Sequence, residues 1–301
     1  MKKSVSMLLA ALMLTGALAG CGSSASTSAS DTQAADGADS GVSGAITVIS
    51  REDGSGTRGA FIELTGVEEK TADGKKVDNT TADAEIANKT DVVLTSVAGN
   101  EKAIGYISLG ALNDTVKAVK VDGAEATVDN VKAGAYKLSR PFNIATKGEP
   151  TGVAKDFINF ILSKEGQAVV TDNKYIAVND AAESFVSDGS SGQIAVGGSS
   201  SVSPVMEKLI EAYKSVNPNA SIDLQTSDST SGMTGAMDGT FAIGMASREL
   251  KDEEAAQLTG TAIALDGIAV IVNPASTIDE LSMDQIKSIY IGDITDWGDL
   301  A

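Results

Sequence analysis

Three short turns rich in glycine and serine each separate a β-rich run from an amphipathic helical pattern, and they constrain the fold more than any other feature. The turns are Asp-Gly-Ser-Gly-Thr at 53–57, Gly-Gly-Ser-Ser-Ser at 197–201 and Ser-Thr-Ser-Gly at 229–232. Strand, turn and helix repeated in this order are typical of an α/β fold, in which a sheet and its helices form separate layers.

Hydrophobic periodicity places the remaining elements of this layered fold. Helices are predicted at 153–170, 204–216 and 282–292, and the last opens with Ser282 and Gln285 at the spacing of a capping box. Strands are predicted at 45–49, 91–97, 103–108, 140–146, 193–198, 221–225, 241–247 and 267–273.

The amino-terminal residues stand outside this pattern. Residues 1–20 have a basic head and an apolar run that ends in Leu-Ala-Gly before Cys21, which matches the lipobox of a bacterial lipoprotein signal better than a plain secretory signal. Cleavage before Cys21 and a diacylglycerol on its sulfur would anchor the protein to a membrane surface. Residues 21–44 consist mostly of Ser, Ala, Gly, Thr and Asp, and this composition predicts a disordered tether.

Charge and histidine content narrow the classes of partner. The chain has 41 acidic and 23 basic residues, a formal net charge of −18, which argues against nucleic acid as a partner. A small anion is not excluded, because its binding depends on the local field of a cleft. Histidine is absent, which excludes zinc sites built on histidine and histidine-based catalysis. We therefore expect a binding protein without metal or cofactor, not an enzyme.

Each turn contains groups that could form an anion-binding site. A glycine turn that enters a helix leaves backbone N–H groups without intrahelical partners, and the helix dipole adds positive potential at the same point. Ser55 and Thr57 can add hydroxyl donors, and Arg51 a planar guanidinium suited to phosphate-like oxygens. Any one turn could equally be an ordinary helix cap. Three in one chain predict a cleft where several helix N-termini meet one oxyanion.

Several motifs, taken in register, resemble the phosphate-binding proteins of high-affinity ABC phosphate importers. They are VGGSSSVSPVMEKLIEAY, SDSTSG, IGMASREL, DGIAVIVNP, LSMDQIKSIYIGDITDW, SREDGSGTRGAF, AIGYISLG and DFINFILSKEGQAVV. The resemblance covers nearly all of 45–301. It implies the two-lobed fold of type II periplasmic-binding proteins, in which each lobe is a mixed sheet flanked by helices and the ligand lies in a cleft between the lobes.

The order of the two halves is the reverse of the family order. Residues 45–180 match the C-terminal half of such a protein, and 193–301 match the N-terminal half. Residues 181–192 read as the linker between them. A circular permutation is the simplest account, and it is tolerable when the old termini lie close together and the new ones fall in an exposed loop.

This account makes structural predictions. Residues near Ala45 and Ala301 should lie close together in one lobe, and Ser201, Ser231 and Thr57 should line one cleft. The lobes are expected to comprise 109–268, and 45–108 together with 269–301, with a hinge near 267–273 and 104–109. We expect a monomer, and a swapped dimer is the competing assembly.

The resemblance also assigns site residues. Ser201 and the Val202 amide match one phosphate contact, and Ser231 with Thr230 matches another. The third contact is matched by Arg51, Asp53, Ser55, Gly56 and Thr57. In this assignment Arg51 is the charged clamp, and Asp53 positions it or accepts a proton from the ligand.

One departure from the family pattern concerns specificity. Where some members carry an aspartate after Ala-Ser, this chain reads Ala246-Ser247-Arg248. A carboxylate accepts the proton of phosphate and repels fully ionised sulfate, so some acceptor is expected. Asp53 and Asp228 are the candidates, while Ser229, Ser247 and Arg248 are further candidate contacts.

The implied function is capture of inorganic phosphate outside the cytoplasm and its delivery to the transmembrane subunits of an ABC permease. The protein would be held at the outer face of the cell membrane by lipid on Cys21. One alternative is a binding protein for another oxyanion, such as sulfate, molybdate or tungstate. The other is a surface adhesion or signalling protein that retains the fold.

Overall fold

The computed structural model describes residues 43–300, and it contains strands and helices that alternate along the chain. The strands are β1 (Thr47–Arg51), β2 (Glu68–Lys70), β3 (Lys76–Asp78), β4 (Glu85–Ala87), β5 (Ala103–Ser108), β6 (Lys117–Ala118), β7 (Lys120–Val121), β8 (Ser139–Thr146), β9 (Gly192–Ser199), β10 (Ala220–Ser227), β11 (Ile243–Ala246), β12 (Thr259–Val272) and β13 (Glu280–Leu281). The α-helices are α1 (Gly56–Thr65), α2 (Thr90–Ala98), α3 (Val128–Lys132), α4 (Gly152–Leu162), α5 (Lys164–Asp172), α6 (Ser203–Val216), α7 (Ser229–Asp238), α8 (Asp252–Ala255) and α9 (Met283–Ile291). The predicted leader, Cys21, nearly all of the tether, and Ala301 lie outside the described residues.

Most strands belong to one nine-stranded sheet of order β10-β9-β11-β8-β12-β5-β1-β4, with β6 paired to the end of β12. At each end of the sheet the neighbours are parallel, namely β10 with β9, β9 with β11, β5 with β1, and β1 with β4. In the middle, β8 and β12 pair antiparallel with each other and with their outer neighbours. Parallel neighbours need long crossover connections, and these carry the helices.

Two main hydrophobic cores divide the chain into lobes. The first lobe comprises 43–138 and 268–300, and its core is formed by β1, β5, α1, α2, α9 and the C-terminal half of β12. The second lobe comprises 142–264 and is built on β9, β11, α4 and α6. The chain therefore crosses between lobes twice, through the crossing segments 139–141 in β8 and 265–267 in β12.

The lobe boundary differs from the one expected from the sequence. Residues 109–138 supply Val116, Val121 and Tyr136 to the core of the first lobe, not the second. The reason is that β5, which ends at 108, does not leave its lobe but pairs with residues 268–272 of β12. The second crossing is made by β8, so the lobes are connected at 139–141 and not at 104–109.

Two predicted elements have a different form. Residues 91–97, predicted as a strand, form most of α2, because Val93, Leu94 and Val97 are buried on one helical face while Asp91 and Thr95 are exposed. The single helix predicted at 153–170 is interrupted at 163, where a serine side chain caps α5. The predicted strands at 103–108, 140–146, 193–198 and 221–225 are confirmed within two residues at either end. The helix at 283–291 has the predicted capping box.

The first and last described segments of the chain meet in the first lobe, as predicted for residues near Ala45. Ala45 forms a β-bridge with Asp296. The Ile46 N–H donates to the Thr295 carbonyl at 2.8 Å, and the Trp297 N–H donates to the Gly44 carbonyl at 3.1 Å. Within residues 43–300, helices are too short or too polar to cross a membrane.

The predicted linker, 181–192, lies along the second lobe. Up to the start of β9 it contains no helix or strand. The Asp156 carboxylate accepts hydrogen bonds from the Ser187 hydroxyl at 2.8 Å and from the Asp188 N–H at 2.9 Å. Phe185 packs edge-on against Phe160 at 5.3 Å between ring centroids. These contacts fix the segment to the lobe surface.

Candidate functional site

Hydroxyl side chains from both lobes meet in one buried group, which we call the hydroxyl cluster. Thr57 in the first turn of α1 and Thr90 at the start of α2 come from the first lobe. The members from the second lobe are Ser199, Ser200, Ser201, Ser229 and Ser247. None of the seven residues is more than 7% exposed. Four helix N-termini, those of α1, α2, α6 and α7, therefore point at one place.

Direct hydrogen bonds across the lobes hold the cluster together. The Oγ1 of Thr57 lies 2.8 Å from the Oγ of Ser201. The Oγ1 of Thr90 lies 3.3 Å from the same Ser201 atom and 3.4 Å from the Oγ of Ser200. These hydroxyls can reverse donor and acceptor roles by rotation, so the same groups could bind an anion between the lobes.

The deeper half of the cluster belongs to the second lobe alone. The Ser199 hydroxyl donates to the Oγ of Ser247 at 2.9 Å, and the Ser247 N–H donates to the Oγ of Ser229 at 3.1 Å. Ser229 and Ser247 are fully buried. Burying this many polar groups costs free energy unless they form hydrogen bonds. The hydrogen bonds among them therefore indicate a preformed site.

Arg51 brings a guanidinium to the edge of the cluster. It is 2% exposed, and its Nη2 donates to the Oγ of Ser200 across the lobes at 3.1 Å. Its Nε and Nη2 donate to the two carboxylate oxygens of Glu52, each at 2.8 Å. Its backbone N–H donates to the Tyr106 hydroxyl at 3.1 Å, and burial raises the pKa of Tyr106, which keeps that hydroxyl neutral. Arg51 is thus held in place before any ligand binds.

Two glycines allow α1 to approach the second lobe. A Cβ on Gly56 would stand 2.8 Å from the Oγ of Ser247 and closer still to the Oγ of Ser229. A Cβ on Gly54 would collide with the Asp228 side chain. The Gly54 carbonyl also accepts the Thr230 N–H at 3.1 Å. The close contact between the lobes therefore requires glycine, which has no side chain, at both positions.

Six of the residues singled out in the sequence belong to the hydroxyl cluster or lie directly against it. Arg51, Gly56, Thr57, Ser201, Ser229 and Ser247 all lie in or against the cluster. Of the three residues expected to line one cleft, Ser201 and Thr57 touch each other. Ser231 does not join them, because its hydroxyl and N–H both donate to Asp228 and it is exposed.

The other residues singled out lie next to the cluster with different partners. Asp53 is 98% exposed in its side chain and pairs with Arg58, so Glu52 rather than Asp53 positions Arg51. The Oγ of Ser55 caps α1 by accepting the Arg58 N–H at 3.3 Å. The Val202 N–H donates to the Ser199 carbonyl. Asp228 caps α7.

Arg248 and Thr230 form a brace beside the cluster. The Arg248 guanidinium donates to both carboxylate oxygens of Glu254, at 2.7 and 2.8 Å, and to the Oγ1 of Thr230 at 3.3 Å. Thr230 in turn contacts the Gly54 carbonyl of the other lobe. Arg248 therefore supports the closed contact without pointing at the cluster hydroxyls.

Four residues of the site were missed from the sequence, namely Glu52, Thr90, Ser199 and Ser200. Thr90 was missed because 91–97 was predicted as a strand. Had a helix been predicted there, Thr90 would have stood at a fourth helix N-terminus. Ser199 and Ser200 stand in the serine run that was noticed, but only its third serine was chosen. Glu52 could have been found by its position next to Arg51.

A second buried ion pair lies in the crossing segments. Arg140 donates from Nη2 to Asp266 at 3.1 Å, and the Ser108 hydroxyl donates to the same carboxylate at 2.9 Å. Burial raises the pKa of Asp266 to about 6 despite these partners. Among residues 43–300, the Nε and Nη1 of Arg140 have no hydrogen-bond partner. The strands that join the lobes are therefore tied together by one desolvated ion pair.

A cavity of about 570 Å³ lies between α1 and residues 248–252. Its charged lining residues are Glu63, Glu68, Lys76, Arg140, Arg248, Glu249, Lys251 and Asp252. This mixture of signs gives no preference for an anion, which favours the hydroxyl cluster as the binding site. The part of the chain from 43 to 300 contains no group of three or more metal-ligating side chains.

Comparison with known proteins gives consistent results. Residues 21–165 and 184–301 match the PBP superfamily domain. The chain is 49% identical over 302 residues to a Streptococcus agalactiae protein named phosphate-binding protein PstS 2, covering 99% of this chain and 98% of that one. Its identity to the protein of the same name in Streptococcus pneumoniae is 48% over 298 residues, covering 99% of each chain.

A solved structure also matches the fold. It is the crystal structure of a phosphate-binding protein of a phosphate ABC transporter from Streptococcus pneumoniae TIGR4. The TM-score is 0.69 at 49% identity, and the match covers 86% of this chain and 100% of that chain. The fold similarity therefore extends along the whole of the solved chain.

Proposed function

Because this chain belongs to the PBP superfamily and to the group of its members named phosphate-binding proteins, we propose that it captures inorganic phosphate for an ABC importer. Its relatives are substrate-binding proteins, and the chain is a solute-binding protein rather than an enzyme. Proteins of this kind work outside the cytoplasm. The observation that carries the proposal is the hydroxyl cluster, where four helix N-termini and the Arg51 guanidinium meet between the lobes.

Phosphate binding would use the contacts that already join the lobes. An anion at the cluster would receive hydrogen bonds from Thr57 and Ser201, replacing the bond that these two hydroxyls make with each other. The four helix N-termini would add backbone N–H groups and positive potential. Because the donors come from both lobes, the bound ion stabilises the closed arrangement over an open one, as expected for hinge closure around a ligand.

Titration calorimetry with phosphate tests this assignment. Arg51→Gln should weaken binding at least about tenfold, since a hydrogen bond to a charged group contributes about 1.5–3 kcal/mol. Thr57→Val should also weaken it, because the variant removes a cluster hydroxyl. Ser231→Ala is the matched control, since it removes a hydroxyl that points away from the cluster. Wild-type affinity in both Arg51→Gln and Thr57→Val would rule out this site.

Membrane attachment through Cys21 is a separate part of the proposal. The lipobox sequence before Cys21 supports it, and a single diacylglycerol-modified cysteine would suffice to keep the protein near its permease. The wild-type protein should partition into detergent, whereas Cys21→Ser should remain in the aqueous phase. Equal partitioning of the two would contradict the anchor.

We also infer a monomer with a permuted chain order. The chain itself supplies both lobes and every member of the cluster. The hydrogen bonds between 44–46 and 295–297 support a former covalent connection there, and the fixed path of 181–192 supports a newer one. Light scattering should give the molar mass of one chain at all concentrations, whereas a mass that doubles with concentration would favour a swapped dimer.

A further inference from the structure

Arg58, in the first turn of α1, is a cation at a position where the helix dipole opposes it. Ser55 caps this helix and α1 begins at Gly56, so Arg58 is its third residue, and the first turn contains no acidic residue. The N–H groups at a helix N-terminus carry partial positive charge, so a positive side chain there costs free energy. A departure from a local rule of this kind is typical of functional sites. The contacts of Arg58 show what offsets the cost.

The guanidinium of Arg58 reaches back to the end of β1, the direction in which helical side chains point. Its Nη1 donates to the Arg51 carbonyl at 2.6 Å and lies 3.2 Å from the Asp53 carboxylate. Its Nε donates to the carboxylate of Asp78, the last residue of β3, at 2.9 Å. The side chain is only 13% exposed. Arg58 therefore links three segments, namely the end of β1, the turn that follows it, and the hairpin formed by β2 and β3.

The carboxylate that anchors Arg58 is itself held in place. The Oδ1 of Asp78 accepts the Thr80 N–H at 2.8 Å and the Thr80 hydroxyl at 2.6 Å, while its Oδ2 accepts from Arg58. Burial raises the pKa of Asp78, but the hydrogen bonds from Thr80 and the charge of Arg58 outweigh burial and hold this pKa below its usual range. The carboxylate is therefore ionised near neutral pH, and it fixes the Arg58 guanidinium by charge as well as by hydrogen bonding.

The backbone of Arg51 is held from both sides as a result. Its N–H donates to the Tyr106 hydroxyl at 3.1 Å, and its carbonyl accepts from Arg58. Among residues 43–300, the Arg58 guanidinium makes its hydrogen bonds to Arg51 and Asp78 and none to the hydroxyl cluster. Resting on the proposed phosphate function, we propose that Arg58, anchored by Asp78, is a positioning residue for the anion site. It fixes the backbone from which the Arg51 guanidinium reaches the cluster, and hydrogen bonds from that guanidinium weaken steeply when their angle changes.

Calorimetric titration of the full protein with inorganic phosphate tests this role. Arg58→Met should raise the dissociation constant about tenfold, because the Arg51 carbonyl loses its charged donor while α1 keeps a good helix former. Arg58→Lys should recover part of the loss, since one ammonium group can replace a contact but not the planar fork that makes all of them. Lys76→Gln is the matched control. Lys76 also joins β3 to α1, through Glu63 at 3.4 Å, but it does not contact Arg51, so its loss should change the dissociation constant by less than about twofold.

A double-mutant cycle with Arg51 distinguishes positioning from general support of the fold. If Arg58 acts through Arg51, Arg58→Met should weaken phosphate binding by less than about twofold when Arg51→Gln is already present. An equal loss of affinity in the wild-type and Arg51→Gln backgrounds would overturn the proposal, as would unchanged affinity in Arg58→Met.

Asp78→Asn keeps the question open to test if Arg58→Met does not fold. Its amide cannot accept from Arg58, whereas its carbonyl oxygen can still accept from Thr80. The same cycle with Arg51→Gln should again show a loss of affinity in the wild-type background alone, and equal losses in both backgrounds would overturn the proposal. Failure of the wild type to bind phosphate at all would instead refute the proposed function, so the two failures are distinguishable.

Discussion

Gly56→Ala should distinguish lobe closure from folding. The structure predicts that the added methyl group weakens the closed contact between the lobes but does not destabilise the first lobe. Gly56 is the first residue of α1, and its backbone is not in the left-handed region that only glycine favours. Alanine is the better helix former by up to about 1 kcal/mol. Taken alone, the first lobe should therefore keep or slightly gain stability when the methyl group is added.

The closed arrangement should lose stability in the same variant. The new Cβ would stand 2.8 Å from the Oγ of Ser247, closer to the Oγ of Ser229 and 3.1 Å from the Cγ of Arg248. Overpacking of this kind costs about 1–3 kcal/mol. At about 1.4 kcal/mol per tenfold change, the phosphate dissociation constant should rise roughly 5- to 150-fold.

Gly59→Ala provides the control on the same helix. A Cβ at Gly59 has the Cδ of Arg248 as its nearest neighbour at 3.8 Å, which is an ordinary van der Waals contact. Calorimetry gives the affinity, thermal unfolding gives the stability, and small-angle scattering with and without phosphate gives the closure. If Gly56→Ala binds phosphate as tightly as Gly59→Ala, the contact between α1 and the serines is not the closed, ligand-binding state.

Three further perturbations test the linker, the crossing segments and the chain order. Asp156→Asn should lower the free energy of unfolding by about 3 kcal/mol in denaturant titrations, since buried donors lose a charged acceptor. Glu165→Gln is the control, because the Glu165 carboxylate accepts the Phe185 N–H of the linker at an exposed position, and it should lower the free energy of unfolding much less. Burial raises the pKa of Asp156, but its hydrogen bonds outweigh this and hold the pKa below 3.8, so its contribution is present above pH 3.8 and should disappear as pH falls through the lowered value. Asp266→Asn should cost about 3–5 kcal/mol because Arg140 would stay buried without a counter-ion, and adding Arg140→Gln should recover most of that loss. A chain that starts at 193, continues from 300 directly into 45, and ends at 180 should fold and bind phosphate within about threefold of the wild type; failure to fold would argue against the permutation.

The three turns were predictable because they depend on local chemistry. A glycine or serine turn between a strand and a helix has few alternatives, and the turns before α1, α6 and α7 all form where the sequence places them. The helix starts are also local, as the Ser55 cap and the capping box of Ser282 show. The sequence also predicted that these turns meet at one point, because three similar turns occur in one chain. A single turn could not have indicated this.

The choice among neighbouring residues could not be predicted in the same way. Ser229 rather than Ser231 faces the cluster because α7 begins at 229, and a shift of two residues turns a helical side chain by more than half a turn. Glu52 rather than Asp53 holds Arg51 because 53 is already in the exposed turn after β1. Both outcomes depend on the exact end of an element, which the sequence pattern defines only within a few residues.

Which strand makes the second crossing between the lobes could not be predicted from the sequence, for a different reason. β5 and β8 are both buried, and each lies beside β12 in the sheet, so their hydrophobic patterns do not distinguish a strand that stays in its lobe from one that leaves it. The distinguishing feature is Arg140, a charged residue in an otherwise buried strand. It is tolerated there because Asp266 stands directly opposite in the register of β12.

The proposed anion site at the hydroxyl cluster is compatible with a strongly acidic chain. With a formal net charge of −18, the average surface repels a dianion, but charges separated by more than about 8 Å of solvent are largely screened at physiological ionic strength. The cluster is buried between the lobes, where screening is weak and helix N-termini are the nearest dipoles. Because Glu52 balances the charge of Arg51, the local attraction depends on directed donors, namely the Arg51 guanidinium and the backbone and hydroxyl groups of both lobes. Each lobe supplies two of the four helix N-termini, so on the proposed assignment we expect anion binding and lobe closure to occur together.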